Sequence, residues 1–292
     1  MTLPTPSSAC VSRKGALLSC AALALALGLA ACAPLPRMGM PGAAVTSASS
    51  EPIERRLDRL LPADVLLLGE QHDAAEHQLI ERQVVEALAA RKQLAALVIE
   101  MAESGHGTAH LPATASALQV QTALGWDDKA WPWSAYGPVV MAAVQAGVPV
   151  LGANLPRARM KDAMADISLD VQLAPAALGI QEDAIRSGHC ELLPASQIRP
   201  MTRIQIARDR AMAQTLVAAR VSGQTVLLVS GAGHTDPALG VPQQLPTDIK
   251  ARTVQLRAGL PEGSGSDFDA IWLTPATPVK DHCAELRSTM RR

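Results

Sequence analysis

The chain alternates between short unbroken apolar runs and longer stretches in which apolar residues recur about once per helical turn. Residues 65–68 read Val-Leu-Leu-Leu, 97–99 Leu-Val-Ile, 148–151 Val-Pro-Val-Leu and 225–229 Thr-Val-Leu-Leu-Val. Unbroken runs of this length are expected of strands buried on both faces, as in a parallel sheet. Further strands are predicted near 252–257 and 268–273. A helix is predicted over 75–91, where Ile80, Val84 and Leu88 recur at a spacing of four. Pro138 is placed near the start of a helix that runs to Ala146 and is closed by Gly147. Helices are also predicted over 157–165, 175–187 and 202–220. The stretch 103–128 is polar and reads as irregular. Strand and helix in alternation predict an α/β fold, a mainly parallel sheet with helices on both faces, as a single globular domain.

The exit from each apolar strand is more informative than the strand itself. The first strand runs out into Gly69-Glu70-Gln71-His72-Asp73, the second into Glu100-Met101, the third into Gly152-Ala153-Asn154-Leu155-Pro156-Arg157, and the fourth into Ser230-Gly231-Ala232-Gly233-His234. Open parallel sheets bind ligands outside the carboxyl ends of their strands. Glu70, His72, Glu100, Asn154, Arg157 and His234 therefore converge on one edge. Carboxylates and imidazoles in that company suit either of two tasks. Glu70, His72, Glu100 and His234 can hold a divalent metal and activate water on it, or they can form a polar network beneath a pocket that binds something else. His106 and His110 share a helical spacing, but the glycines around them predict a loop with solvated imidazoles. Trp126, Trp131, Trp133 and Tyr136 form the aromatic cluster of the chain. That cluster is either a local staple or a wall for a flat apolar ligand, with Tyr136 then an oxygen ligand to ferric haem iron.

Composition sharpens the picture in three places. Hydrophobic residues make up 48% of the 292 residues but aromatics only 2%, so the core is built from Ala, Leu, Val, Ile and Met. A net charge of −1 gives no sign of a nucleic-acid partner. Residues 1–31 carry a basic start at Arg13 and Lys14, an apolar run over 15–28 and the sequence Leu-Ala-Ala before Cys32. That run is too short for the ~20 residues a membrane span needs, and the pattern is that of a lipoprotein signal peptide. Cys32 is thus expected to be lipidated. Ala33 favours the outer membrane, facing the periplasm. Residues 32–50, rich in Pro, Gly, Ala and Ser, read as a flexible tether, 51–280 as the domain and 281–292 as a tail. Cys10 and Cys20 leave with the signal, so Cys190 and Cys283 are the remaining thiols in an oxidising compartment, where a disulfide is expected.

The motifs also carry a family resemblance. Leu-Leu-Gly-Glu-Gln-His-Asp at 67–73, Val-Ile-Glu-Met at 98–101, Trp-x-Trp-x-x-Tyr at 131–136, Ala-Asn-Leu-Pro-Arg at 153–157, Gly-His-Cys at 188–190, Ala-Arg-Asp-x-x-Met-Ala at 207–213, Gly-Ala-Gly-His at 231–234 and Phe-Asp-Ala-Ile-Trp at 268–272 succeed one another in order. This order resembles the ChaN-type haem-binding lipoproteins, within the superfamily that includes Tiki, TraB and erythromycin-esterase-like proteins. The resemblance implies haem binding in iron acquisition, by a homodimer that sandwiches haems, and no catalysis. Tyr136 is the one tyrosine available as an axial ligand, with Trp133, Asn154 and Arg157 expected around the haem and Arg157 against a propionate. The wider superfamily also includes metal-dependent proteases marked by two Gly-x-x-His motifs and a glutamate. Gly69–His72, Gly231–His234 and Glu100 match that pattern, which keeps a metal-dependent hydrolase as the second reading.

Overall fold

The computed structural model describes residues 44–46, 51–259, 267–278 and 280–290. The expected signal segment and Cys32 lie outside them. In chain order the elements are β1 (Ala44–Thr46), α1 (Ile53–Asp58), β2 (Val65–Glu70), α2 (Ala75–Ala90), β3 (Leu94–Glu103), α3 (Ala117–Leu124), α4 (Trp133–Gln145), β4 (Val150–Asn154), α5 (Met160–Ala165), α6 (Pro175–Gly188), α7 (Ala195–Ala218), β5 (Thr225–Gly231), β6 (Ala251–Ala258), β7 (Ala270–Thr274) and α8 (His282–Met290). Among the described residues the strands form one seven-stranded sheet in the order β1-β7-β6-β2-β5-β3-β4. Every neighbouring pair is parallel.

Both faces of this sheet are covered, which explains the unbroken apolar runs. Successive side chains alternate between faces. Leu66, Leu68, Leu97, Ile99, Leu227 and Val229 point to one core, where they meet Leu57 of α1, Val84 and Leu88 of α2, Leu124 of α3 and Val140 of α4. Val65, Leu67, Val98, Val226 and Leu228 point to the other, against Met212, Ala213 and Leu216 of α7. Fully burying one such side chain contributes roughly 1.5–3 kcal/mol. A third cluster seats α5 and α6 on the first half of α7. The largest fully buried side chain is Trp272, with the Arg56 guanidinium 5.4 Å from its ring.

The chain departs from its expected elements in a few places. Within 103–128, α3 forms, because Ser116 and Gln119 make a reciprocal capping box and Gly125 closes the helix with a φ of 58°. Helix α4 begins at Trp133, and Pro138 lies inside it. Likewise α7 begins at Ala195 with Pro200 inside. In each case a proline supplies the N-cap, Pro132 or Pro194, and the internal proline forfeits one ladder bond that packing outweighs. Part of the expected tether, Ala44–Thr46, pairs with Ala270–Trp272 at the sheet edge. In the expected tail, α8 places Cys283 so that its Cα is 5.5 Å from that of Cys190, within bridging reach.

Candidate functional site

The sheet order sets where a site forms. From β2 the chain crosses to β3 and β4, returns to insert β5 between β2 and β3, and then builds outward on the far side through β6 and β7. The carboxyl ends of the central strands flank this change of direction, the place where open α/β sheets bind ligands. A cleft of about 860 Å³ opens there. The ends of β2, β3, β4 and β5 supply Glu70, Glu100, Asn154 and Gly231 to it.

Glu70 is the centre of one polar cluster. Its side chain is fully buried. Oε1 accepts from the Tyr136 hydroxyl at 2.7 Å and lies 2.8 Å from His72 Nδ1. Oε2 accepts from Gln78 Nε2. Glu81 is buried beside it. Burial raises the Glu81 pKa well above its ordinary value, and the neighbouring Glu70 raises it further. His72 is the member of the cluster that meets the cleft, with 39% of its side chain exposed. With Nδ1–H given to Glu70, its Nε2 faces Glu100 Oε2 at 3.9 Å. Partial burial lowers the His72 pKa, but Glu70 and Glu100 outweigh it and the net shift is upward. The imidazole has room because residue 231 is glycine: a Cβ there would stand 2.8 Å from His72 Nε2.

A second cluster lies on the other side of β5. Glu100 Oε2 accepts from the Gly231 N–H at 2.8 Å. Its Oε1 is 3.4 Å from His234 Nε2, and His234 Nδ1 is 2.6 Å from Asp209 Oδ1 on α7. Burial alone would neutralise this imidazole, but two flanking carboxylates raise its pKa to about 10. In turn the imidazolium holds Glu100 down at about 2 against the opposing effect of burial. Asp209 goes the other way, to about 6, because burial exceeds what His234 returns. The result is an imidazolium clamped between two carboxyl groups.

Comparison with known proteins fits this architecture. A family model described as haem-binding uptake, Tiki superfamily, ChaN matches residues 56–245. The chain belongs to that family. A solved structure described as cofacial heme binding to ChaN of Campylobacter jejuni is similar to it, with 26% identity, a TM-score of 0.62, and coverage of 73% of this chain and 89% of that one. No curated protein matches the chain. The α/β fold with an all-parallel sheet is thus that of a ChaN-family protein.

Within this ChaN-family cleft the expected residues divide. Glu70, His72, Glu100, Asn154, Arg157 and His234 all line it. Tyr136 does not. It is only 3% exposed, its hydroxyl is spent on Glu70, and burial beside Glu70 drives its pKa far up, away from tyrosinate. In this structure Tyr136 supports Glu70 from below the cleft and does not line it. Trp133 is also displaced from the cleft, since it packs edge-on against Trp126 and over Gly137. The aromatic wall is Trp131, which meets the His72 ring edge-on at 4.9 Å. Both placements share one cause, the start of α4 at Trp133 rather than near Pro138, which turns Tyr136 into the core. The four expected metal ligands do come together, but as hydrogen-bonded pairs, and both ring nitrogens of His234 are engaged. Among the described residues no group of three or more His, Cys, Asp or Glu is arranged to hold a metal ion. His106 and His110 are exposed in a loop, as expected.

Sequence reasoning missed Gln78, Glu81 and Asp209. Each falls on the inward stripe of a helix. Gln78 and Glu81 share the face of α2 that buries Val85 and Leu88, and Asp209 shares the face of α7 that buries Ile206 and Met212. A charged residue in phase with an apolar stripe was the available signal.

Proposed function

We propose that this protein binds haem in the cleft at the carboxyl ends of β2–β5 and serves haem or iron acquisition at the cell envelope. The carrying observation is His72: an imidazole exposed to the cleft, held through Nδ1 by Glu70 and flanked by the Trp131 ring. Haem is a flat apolar plate with an iron that takes a nitrogen or thioether donor. The residues present fit it. His72 offers Nε2, made more basic by the carboxylate on Nδ1. Trp131, Leu155 and the thioethers of Met101 and Met160 supply apolar surface, while Asn154 stands at the polar side. In this reading the chain binds and releases its cargo. Glu70, Tyr136 and Gln78 orient His72 and do not touch the haem.

Hemin titration of the purified protein tests the proposal. A saturable Soret change in the wild type, reduced at least tenfold in affinity by His72→Ala, is expected. A wild type with no saturable change overturns it. The observations give the hydrolase reading no comparable support.

The envelope setting belongs to the same proposal. Cleavage before Cys32 and its lipidation would hold the domain on the outer membrane facing the periplasm. Cys32→Ala should then release a soluble periplasmic form or leave an uncleaved precursor. The Cys190–Cys283 pair would be oxidised there, and reduction should lower stability by up to ~4 kcal/mol on the loop-entropy model. The homodimer expectation is checked by sedimentation with and without hemin.

A further inference from the structure

The wall of the cleft formed by α7 carries a cation that makes no salt bridge among the described residues. Arg208 lines the cleft together with Gln205, and its Nη1 donates to Gln205 Oε1 at 3.1 Å. Its Nε is buried and has no hydrogen-bond partner among the described residues. The neighbouring carboxylate, Asp209, is committed to His234 at 2.6 Å. Buried polar groups are nearly always satisfied, and those that are not call for a specific explanation.

Arg157, the arginine expected from the sequence to meet a ligand anion, stands in a different setting. Its side chain is 72% exposed and bonds Asp127 at 3.2 Å, while its backbone N–H donates to Glu103 at 3.0 Å. A ligand anion there would have to displace one carboxylate and approach a second. At Arg208 the guanidinium lines the cleft with no carboxylate bonded to it among the described residues, and a planar carboxylate matches a guanidinium with two parallel hydrogen bonds.

We propose that Arg208 is a specificity-determining residue of the cleft whose guanidinium takes a carboxylate of the bound ligand. The inference rests on the haem reading, in which that carboxylate is a propionate. It makes the protein a reader of the free acid: a tetrapyrrole whose propionates are esterified loses this contact while keeping the iron and the apolar plate.

The test compares hemin with its dimethyl ester in one detergent-containing buffer, by Soret titration of wild type, Arg208→Ala, Arg208→Lys and Arg157→Ala, with circular dichroism to check folding. Wild type is expected to prefer hemin by about tenfold or more, the scale of a charge-assisted pair. Arg208→Ala should bind both alike, Arg208→Lys should keep part of the preference, and Arg157→Ala should keep it whole. If Arg208→Ala is misfolded, Arg208→Lys decides, because loss of the paired geometry alone should reduce the preference. A wild type that binds both forms equally, or a preference that survives in Arg208→Ala, overturns the inference and leaves the haem reading standing. Loss of the preference in Arg157→Ala but not in Arg208→Ala also overturns it. A wild type that binds neither form overturns the haem reading, and this inference with it.

Discussion

Two Gly-x-x-His segments extend from two strands that are hydrogen-bonded to each other, yet their histidines end in opposite states. In the β2–β5 pair, Gly69 lies opposite Ser230 and Glu70 opposite Gly231, so the segments are staggered by one residue. His72 leaves its strand toward the cleft and gives one nitrogen to a buried carboxylate. His234 turns back toward α7 and gives both nitrogens to buried carboxyl groups, with only 8% of its side chain exposed. The second nitrogen of the first stands 3.9 Å from Glu100, beyond hydrogen-bond reach, whereas the second imidazole is an internal counter-ion. The motif brings an imidazole to the sheet edge, and the helix packed behind it decides whether the imidazole meets the cleft or the core.

The sharpest way to break this comparison is to remove each imidazole in turn. His234→Ala strips Glu100 and Asp209 of the charge between them. Losing one partner of a buried pair costs about 3–5 kcal/mol, so urea unfolding should show a loss of that size. His72→Ala should cost less in the same assay, about 1–3 kcal/mol, because Glu70 keeps its Tyr136 and Gln78 donors. Equal losses would mean that the two sites do not differ in kind.

Tyr136→Phe gives a smaller effect and tests the support beneath His72. Glu70 loses a hydroxyl donor at a buried oxygen, for a stability cost of about 1–3 kcal/mol. Hemin should still bind with its Soret maximum in place, at an affinity reduced by less than about tenfold. A shifted Soret maximum would return Tyr136 to the iron and overturn its placement in the core.

The smallest effect is the dependence on pH. His234 has a folded-state pKa of about 10 against an ordinary 6.5, so its contribution is complete below 6.5 and is lost as pH rises through 10. Asp209, raised to about 6, acts in the same direction at lower pH. His77 has the opposite sign. It is buried and neutral, accepting from the Gln71 N–H at 2.9 Å and facing the Thr274 hydroxyl at 3.0 Å, with its pKa lowered by burial to about 4. Its contribution is present above 6.5 and is lost as pH falls through 4. The melting temperature should therefore fall between pH 6.5 and 10, by the equivalent of at least ~1 kcal/mol. Imidazole nitrogen resonances should show His234 still protonated at about pH 8 and His77 still neutral at about pH 5.5. A neutral His234 under those conditions would remove the clamp from the comparison.

The parts of this arrangement that were legible in the sequence were those that interrupt a simple pattern. Glu70 and Glu100 stood out because each ends an unbroken apolar run, and a parallel strand buried on both faces leaves no other place for a carboxylate than its exit. Glu81 and Asp209 were obscured because a helix tolerates polar residues on two thirds of its circumference. Only the phase relative to Val85 and Leu88, or to Ile206 and Met212, shows that they face inward. Tyr136 was visible as a residue but not as an orientation. Its direction depends on where α4 starts, and Pro132 as N-cap competed with Pro138 as the helix signal. Arg208 was visible only as part of the Ala-Arg-Asp-x-x-Met-Ala motif, without a role, since an arginine on a long helix reads as a solvated one until the cleft beside it is seen.

The insertion of β5 between β2 and β3 also governs when the cleft comes into being. The two strands that carry Glu70 and Glu100 are not neighbours in the sheet. They are joined through a strand whose side-chain bond back to the residues just ahead of the first, Thr225 to the Ala63 carbonyl, spans 162 positions of sequence. Pairing across such a separation carries a large loop-closure cost before any contact offsets it and is characteristically late in folding. During synthesis the chain up to the end of α7 holds three of the four strand ends and all of the aromatic wall, yet it lacks the strand that brings them together. The cleft is therefore a property of the finished sheet. A nascent or unfolded chain has no partial version of it with which to capture cargo prematurely.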